Sequence, residues 1–233
     1  MRLVILLWFL FLTIPTVGQN RKDWIQLDYL NKASENPFMT EKDISGQCFI
    51  ILEDNFNYYK NPIVIKTADN KEFIRLEFGE TLVTTFNSKS YVQCDQTNPF
   101  NPWLFGCNPD YFSLAFECVD STGTDYKVKI NEREFALISK QNKDFKKQKI
   151  TDFVKDWTTL GCDFDRHANP LRETPKSDGK IINHSDQKEY KIWNGESLEI
   201  QGDWIKVKTL KNEIGWIKWR TGNKVLIRMY FAC

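Results

Sequence analysis

The chain has 233 residues, with 32 Lys plus Arg against 31 Asp plus Glu, so it lacks the basic excess that a nucleic-acid-binding protein needs. Aromatic residues make up 14% of it, a share that suits small β-rich modules packed on rings better than a helical bundle.

Residues 1–18 open with Arg2, continue as an apolar run from Leu3 to Leu12 and end in Thr16-Val17-Gly18. That pattern reads as a secretory signal peptide cleaved before Gln19, because the run is too short to span a bilayer. Removing it takes away one arginine and no acid, leaving 31 residues of each charge. The expected product is exported, periplasmic or secreted, with no membrane span after cleavage and no nucleic-acid partner. At ~215 residues it has enough chain for one or two cores.

Residues 19–139 form the expected N-terminal β-rich module. Its start is polar, with Trp24, Leu27 and Leu30 spaced like a turn or two of helix before Pro37 stops it. Then Cys48–Leu52, Ile63–Ile65, Phe73–Phe78 and Leu82–Phe86 are apolar or alternating runs separated by Asn, Asp, Gly and Pro. Further on, Phe112, Leu114, Phe116 and Cys118 alternate with Ser113, Ala115 and Glu117, and Tyr126–Ile130 and Phe135–Ile138 add two more strands. An antiparallel sandwich or partly open barrel is expected. Six of the eight prolines follow Asn, and three of those pairs fall in the loop Asn98–Pro109, which carries Phe100, Trp103 and Phe105 and is expected to expose or half-bury them.

Residues 140–167 are read as a linking helix and linker. Ile150, Phe153, Val154, Trp157 and Leu160 recur at helical spacing, with Gly161 in the cap position. The basic residues before it, Lys143, Lys146, Lys147 and Lys149, read as a solvated polar face.

Residues 168–233 are the expected C-terminal module. Leu198 and Ile200 alternate with polar residues up to a turn at Gly202-Asp203, and Trp204–Lys208 resumes the alternation, so a hairpin with Val207 buried is expected. A second polar turn, Leu210–Glu213, returns the chain into Ile214–Ile217. The order Gly202-Asp203-Trp204-Ile205-Lys206-Val207 followed by Gly215-Trp216-Ile217 resembles the bacterial SH3-like (SH3b) domain. Leu171–Pro175 and Gly179–Ile182 look like that family's opening strand, loop and next strand. The resemblance implies a small SH3-like β-barrel over roughly residues 168 to 220, and the overall fold class is mainly β. SH3 folds hold extended peptides or glycans in grooves lined by aromatic residues, which makes Trp193, Trp204, Trp216 and Trp219 candidate ligand-binding residues, although a domain this small also needs rings for its core.

Six cysteines in an exported chain favour disulfides over metal thiolates. They allow fifteen pairings, of which Cys94–Cys107 across the Asn-Pro loop, Cys118–Cys162, and Cys48 with Cys233 are the expected set. A Cys162–His167 nucleophilic pair is formally available, but neither Cys48 nor Cys162 sits in the Asp-Cys-Ser-Gly context of the cell-wall cysteine peptidases that accompany SH3b domains. Asp163–His167 starts like a calcium loop, yet Ala168 stands where Gly is required and Thr174 where the bidentate Glu belongs. His167 and His184 are too far apart for a short zinc motif. No catalytic residue, metal or cofactor is therefore assigned. The expected function is a non-enzymatic binding protein whose partner is a cell-wall glycan or peptide or an extracytoplasmic protein. The alternative is a cell-wall or carbohydrate-active hydrolase that uses the SH3b module for targeting and the loop around Trp103 as its substrate platform.

Overall fold

The computed structural model describes residues 42–229 apart from 68, 70, 93, 94, 96, 109, 111, 160, 167, 183–191 and 210, and it is mainly β. The signal-like stretch 1–18, Cys94, His167, His184 and Cys233 lie outside the described residues. In chain order the strands are β1 (Cys48–Leu52), β2 (Ile63–Lys66), β3 (Glu72–Phe78), β4 (Leu82–Phe86), β5 (Lys89–Val92), β6 (Leu104–Gly106), β7 (Ser113–Ser121), β8 (Asp125–Lys129), β9 (Phe135–Ser139) and β10 (Phe145–Gln148). Helix α1 (Ile150–Thr158) follows, then β11 (Cys162–Asp165), β12 (Ile192–Gln201), β13 (Trp204–Thr209), β14 (Ile214–Lys218), β15 (Arg220–Thr221), β16 (Lys224–Val225) and β17 (Ile227–Met229).

These strands assemble into three main antiparallel sheets. One is six-stranded, in the order β10-β1-β7-β8-β9 with β6 paired to β7. The second is the four-stranded meander β2-β3-β4-β5, and the third runs β14-β13-β12-β11-β17. The six-stranded sheet is covered on both faces, which β1 makes plain: Phe49 and Ile50 are neighbours, so they point to opposite sides, and both are 0% exposed. On the Ile50 side, Phe116, Cys118, Val128 and Ile138 pack against Ile63, Ile65, Ile74 and Leu76 of the meander. On the Phe49 side, Trp103, Leu104 and Ala115 meet Phe153 and Val154 of α1, and the same cluster continues into Phe164, Ile205, Val207 and Ile217 of the third sheet.

Helix α1 therefore works as a bridge. Its Ile150, Phe153, Val154 and Trp157 occupy one side, as a three- and four-residue spacing requires. Asp152 in its first turn and Lys155 in its last both complement the helix dipole. The Phe153 ring stacks on Phe49 at 4.1 Å and meets Trp103 edge-on at 5.3 Å. Burying a ring of that size contributes roughly 1.5–3 kcal/mol. The two halves are also tied by backbone, since Ile44 N–H donates to the Asn223 carbonyl at 2.8 Å.

The expected hairpin forms. Gln201 pairs with Trp204 around a turn at Gly202, whose φ of 57° suits a residue without Cβ, and Val207 is fully buried. A bulge at Leu198 interrupts the β12–β13 register and turns that leucine outward.

Several expectations need correction. The C-terminal sheet is open rather than a closed barrel: Leu171–Pro175 and Gly179–Ile182 contribute only bridges from Arg172 to Ile181 and Trp216, while β11 and β17 extend the sheet on its other side. Part of the 140–167 linker is strand, because Phe145 is buried and Lys146 and Lys147 sit on an edge strand paired to β1, where lysines discourage further edge pairing. Residues 162–165, read as part of the linker, are β11, with Phe164 and Asp163 both buried. In the Asn-Pro loop, Phe100 and Trp103 are buried, and only Phe105 is half-buried. Cys48, Cys118 and Cys162 are free thiols, which rules out the Cys118–Cys162 and Cys48–Cys233 pairs. Cys118 sits on β7 and Cys162 on β11, in sheets separated by α1. Cys107 is disulfide-bonded, but Cys94, its expected partner, lies outside the described residues.

Candidate functional site

Residues directly opposite each other in antiparallel strands share a face, and this places the tryptophans of the C-terminal sheet. Trp204 lies opposite Lys218, and Lys206 opposite Trp216. The result is a two-by-two pattern in which each ring has a cation over it: Lys218 Nζ is 5.4 Å from the Trp204 ring centre, and Lys206 Nζ is 5.8 Å from that of Trp216. Lys206 is shared with Glu199 on β12, at 4.0 Å. Lys208 and Ile214 continue the face.

The three candidate tryptophans whose side chains are described do not form one groove. Trp219 is fully buried, its Nε1 donating to the Gly202 carbonyl at 2.8 Å, so it holds the hairpin turn. Trp216 is nearly buried, and its backbone pairs with Arg172 along the free edge of β14, the Arg172 N–H donating to the Trp216 carbonyl at 2.9 Å. That close pairing accounts for the glycine before it, because a Cβ on Gly215 would lie 2.8 Å from the Arg172 carbonyl oxygen. Trp204 is half-buried and available, and the side chain of Trp193 lies outside the described residues.

A second site escaped the sequence reading. Lys42, Trp103, Glu117, Lys129, Asn131 and Glu132 line a polar cavity of about 390 Å³. Glu117 is 2% exposed although it alternates with apolar residues on β7. It accepts from the backbone N–H groups of Ser45 and Gly46 and faces Lys129 Nζ at 3.3 Å. Lys42 Nζ donates to Asn101 Oδ1 at 2.6 Å and to the Pro102 carbonyl at 2.5 Å. Burial pushes its ammonium down to about 8; Glu132 opposes that shift and Lys129 adds to it. These bonds fasten residues 42–46 across the sheet and the Asn-Pro loop. Only a charged residue on an otherwise apolar strand could have signalled the site.

Among the described residues no cluster of side chains could hold a metal ion, and no helix is long and apolar enough to cross a membrane. The fold and site together define a mainly β protein in which a two-sheet module is welded through one helix to an open β-sheet bearing a tryptophan–lysine face. Comparison with protein-family models, curated proteins and solved structures gives no match.

Proposed function

We propose that the protein is an exported, non-enzymatic binding protein whose SH3b-like C-terminal module holds cell-wall peptidoglycan on the outer face of β12–β14. The observation that carries this reading is the half-buried Trp204 beneath Lys218, beside Lys206 and Glu199. A ring of this kind offers apolar area at low conformational cost, while the flanking charges suit the carboxylates and amines of peptide stems. The signal-like residues 1–18 and the Gly-Asp-Trp hairpin support it further. The test is a pull-down of the chain from Gln19 onward with purified peptidoglycan, alongside Trp204→Ala and Lys218→Glu. Enrichment that both variants reduce supports the proposal; no enrichment above a protein lacking residues 168–233 sinks it.

The hydrolase reading retains one specific observation, the cavity beside Trp103 that holds Glu117, Glu132 and the low-pKa Lys42. Release of reducing ends from cell-wall glycan, abolished by Glu132→Gln, would establish it. Glu117 is already committed to Ser45, Gly46 and Lys129, which favours the binding reading.

A further inference from the structure

The loop between β1 and β2 places Tyr58 and Tyr59 against the end of β3 and the start of β7. Tyr58 lies 4.6 Å from Phe78 and 5.2 Å from Phe112, and Phe78 meets Phe112 edge-on at 4.7 Å. Tyr59 rests on this cluster, 4.7 Å from Tyr58, and is 54% exposed. Below it the rings continue inward through Phe105 to the buried Phe100, so the outermost ring stands on a rigid foundation. Two concavities share Tyr58 as a common wall. One, of about 590 Å³, runs past Tyr59, Asn61, Glu77 and Glu80. The other, of about 240 Å³, runs past Phe112 and Trp157 to Glu53 and Asp54.

We propose that this aromatic trough on the N-terminal module binds an uncharged oligosaccharide, at least two sugar rings long, by stacking on Tyr59 and hydrogen-bonding to its carboxylate rim. The chemistry of the lining selects that ligand. The four carboxylates at the rim are opposed by Lys60, Arg75 (2.8 Å from Glu77) and Lys146 (2.5 Å from Asp54), which leaves many acceptors and no surplus of cations to hold an anion. A quaternary ammonium would need rings standing apart around a gap. These rings touch one another instead, at interplanar angles between 37° and 80°, so they enclose no gap and leave the exposed Tyr59 ring as the stacking face. A pyranose has an apolar C–H face and a circumference of hydroxyl donors, which matches one exposed ring with acceptors beside it. The site is separate from the tryptophan–lysine face of β12–β14 and does not depend on it.

The test is isothermal titration of the chain from Gln19 onward with neutral cello-, chito-, malto- and xylo-oligosaccharides of four to six units. At least one series is expected to bind, with affinity falling at least tenfold in Tyr59→Ala, largely retained in Tyr59→Phe, and reduced in Glu80→Gln. Tyr59 is half in solvent, so circular dichroism of Tyr59→Ala should remain that of the parent. No binding to any series at millimolar sugar overturns the proposal. So does binding that Tyr59→Ala leaves unchanged, or binding lost in Trp204→Ala but not in Tyr59→Ala, which would place the sugar on the C-terminal sheet. Binding of oligolysine in preference to every sugar overturns it as well.

Discussion

Cys48 on β1 lies directly opposite Cys118 on β7, and both side chains are buried. Opposed residues in antiparallel strands have Cα atoms roughly 4.5–5.5 Å apart, inside the ~4.4–6.8 Å range that a disulfide spans. A hydrogen bond from Cys118 outweighs burial and draws the Cys48 thiol down to about 7, while Cys118 is pushed up by the same contact. Diamide, which is reduced to its hydrazine as two thiols become one disulfide, should therefore link Cys48 to Cys118. Cys162, fully buried with its thiol donating to the Gly195 carbonyl at 3.3 Å, should remain free. Peptide mapping without reduction reads the outcome, and a Cys118–Cys162 link would contradict the register. Because Cys48 is only 3% exposed, iodoacetamide should modify it slowly in the native protein despite its lowered pKa.

Phe153→Ala should cost about 3–5 kcal/mol in urea unfolding. The ring stacks on Phe49, meets Trp103 and belongs to a cluster shared by both sheet modules, so no single side of the cavity can collapse alone. For the same reason the parent protein should unfold in one transition by fluorescence and by circular dichroism. Two well-separated transitions in the parent would mean that the shared cluster does not couple the halves.

Gly215→Ala should destabilise by about 1–3 kcal/mol, whereas Gly79→Ala should be close to neutral. A methyl group at Gly215 meets the Arg172 carbonyl at 2.8 Å and Leu171 Cγ at 2.6 Å, while nothing lies within 4 Å at Gly79. Equal midpoints for the two variants would show that residues 171–172 do not pack closely against β14.

Seven strands of the N-terminal module were legible in the sequence, because their apolar runs are bounded by Asn, Gly and Pro. Three of those that were not legible share a physical cause. β6 is three residues inside an Asn-Pro loop, β10 is an edge strand whose lysines read as a solvated face, and β11 hides Asp163 in a buried position. In each, tertiary pairing decides the conformation and local pattern does not. The tryptophans illustrate the same limit at the site. Their alternation located the hairpin, but the surroundings of the rings depend on Arg172 pairing with Trp216 along the edge of β14 and on the Trp219 bond to Gly202, both long-range contacts. Glu117 was invisible for a related reason: β7 is covered on both faces, so its polar alternation points into protein and not into water.

Lys42 provides a pH test of how residues 42–46 are fastened. Burial lowers its ammonium from the ordinary 10.5 to about 8, so the folded state holds this proton less tightly than the unfolded chain does. Below about 8 the group is protonated in both states, and the full cost of burying the charge is present. Between about 8 and 10.5 the unfolded chain keeps a proton that the folded chain has released, so this group makes the fold more stable as pH rises, by up to about 1.4 kcal/mol per pH unit. Above that window its contribution is level again. Lys42→Met removes the titrating group together with its bonds to Asn101 and Pro102, so the variant should be less stable at neutral pH if those bonds outweigh the burial cost. Whatever that offset, the stability difference, parent minus variant, measured by urea unfolding at half-unit steps from pH 7 to 11, should climb through the window. Other titrating groups are common to both proteins and cancel. A difference that stays flat or falls between pH 8 and 10.5 would show that the Lys42 ammonium is solvated and that the segment is not held by it.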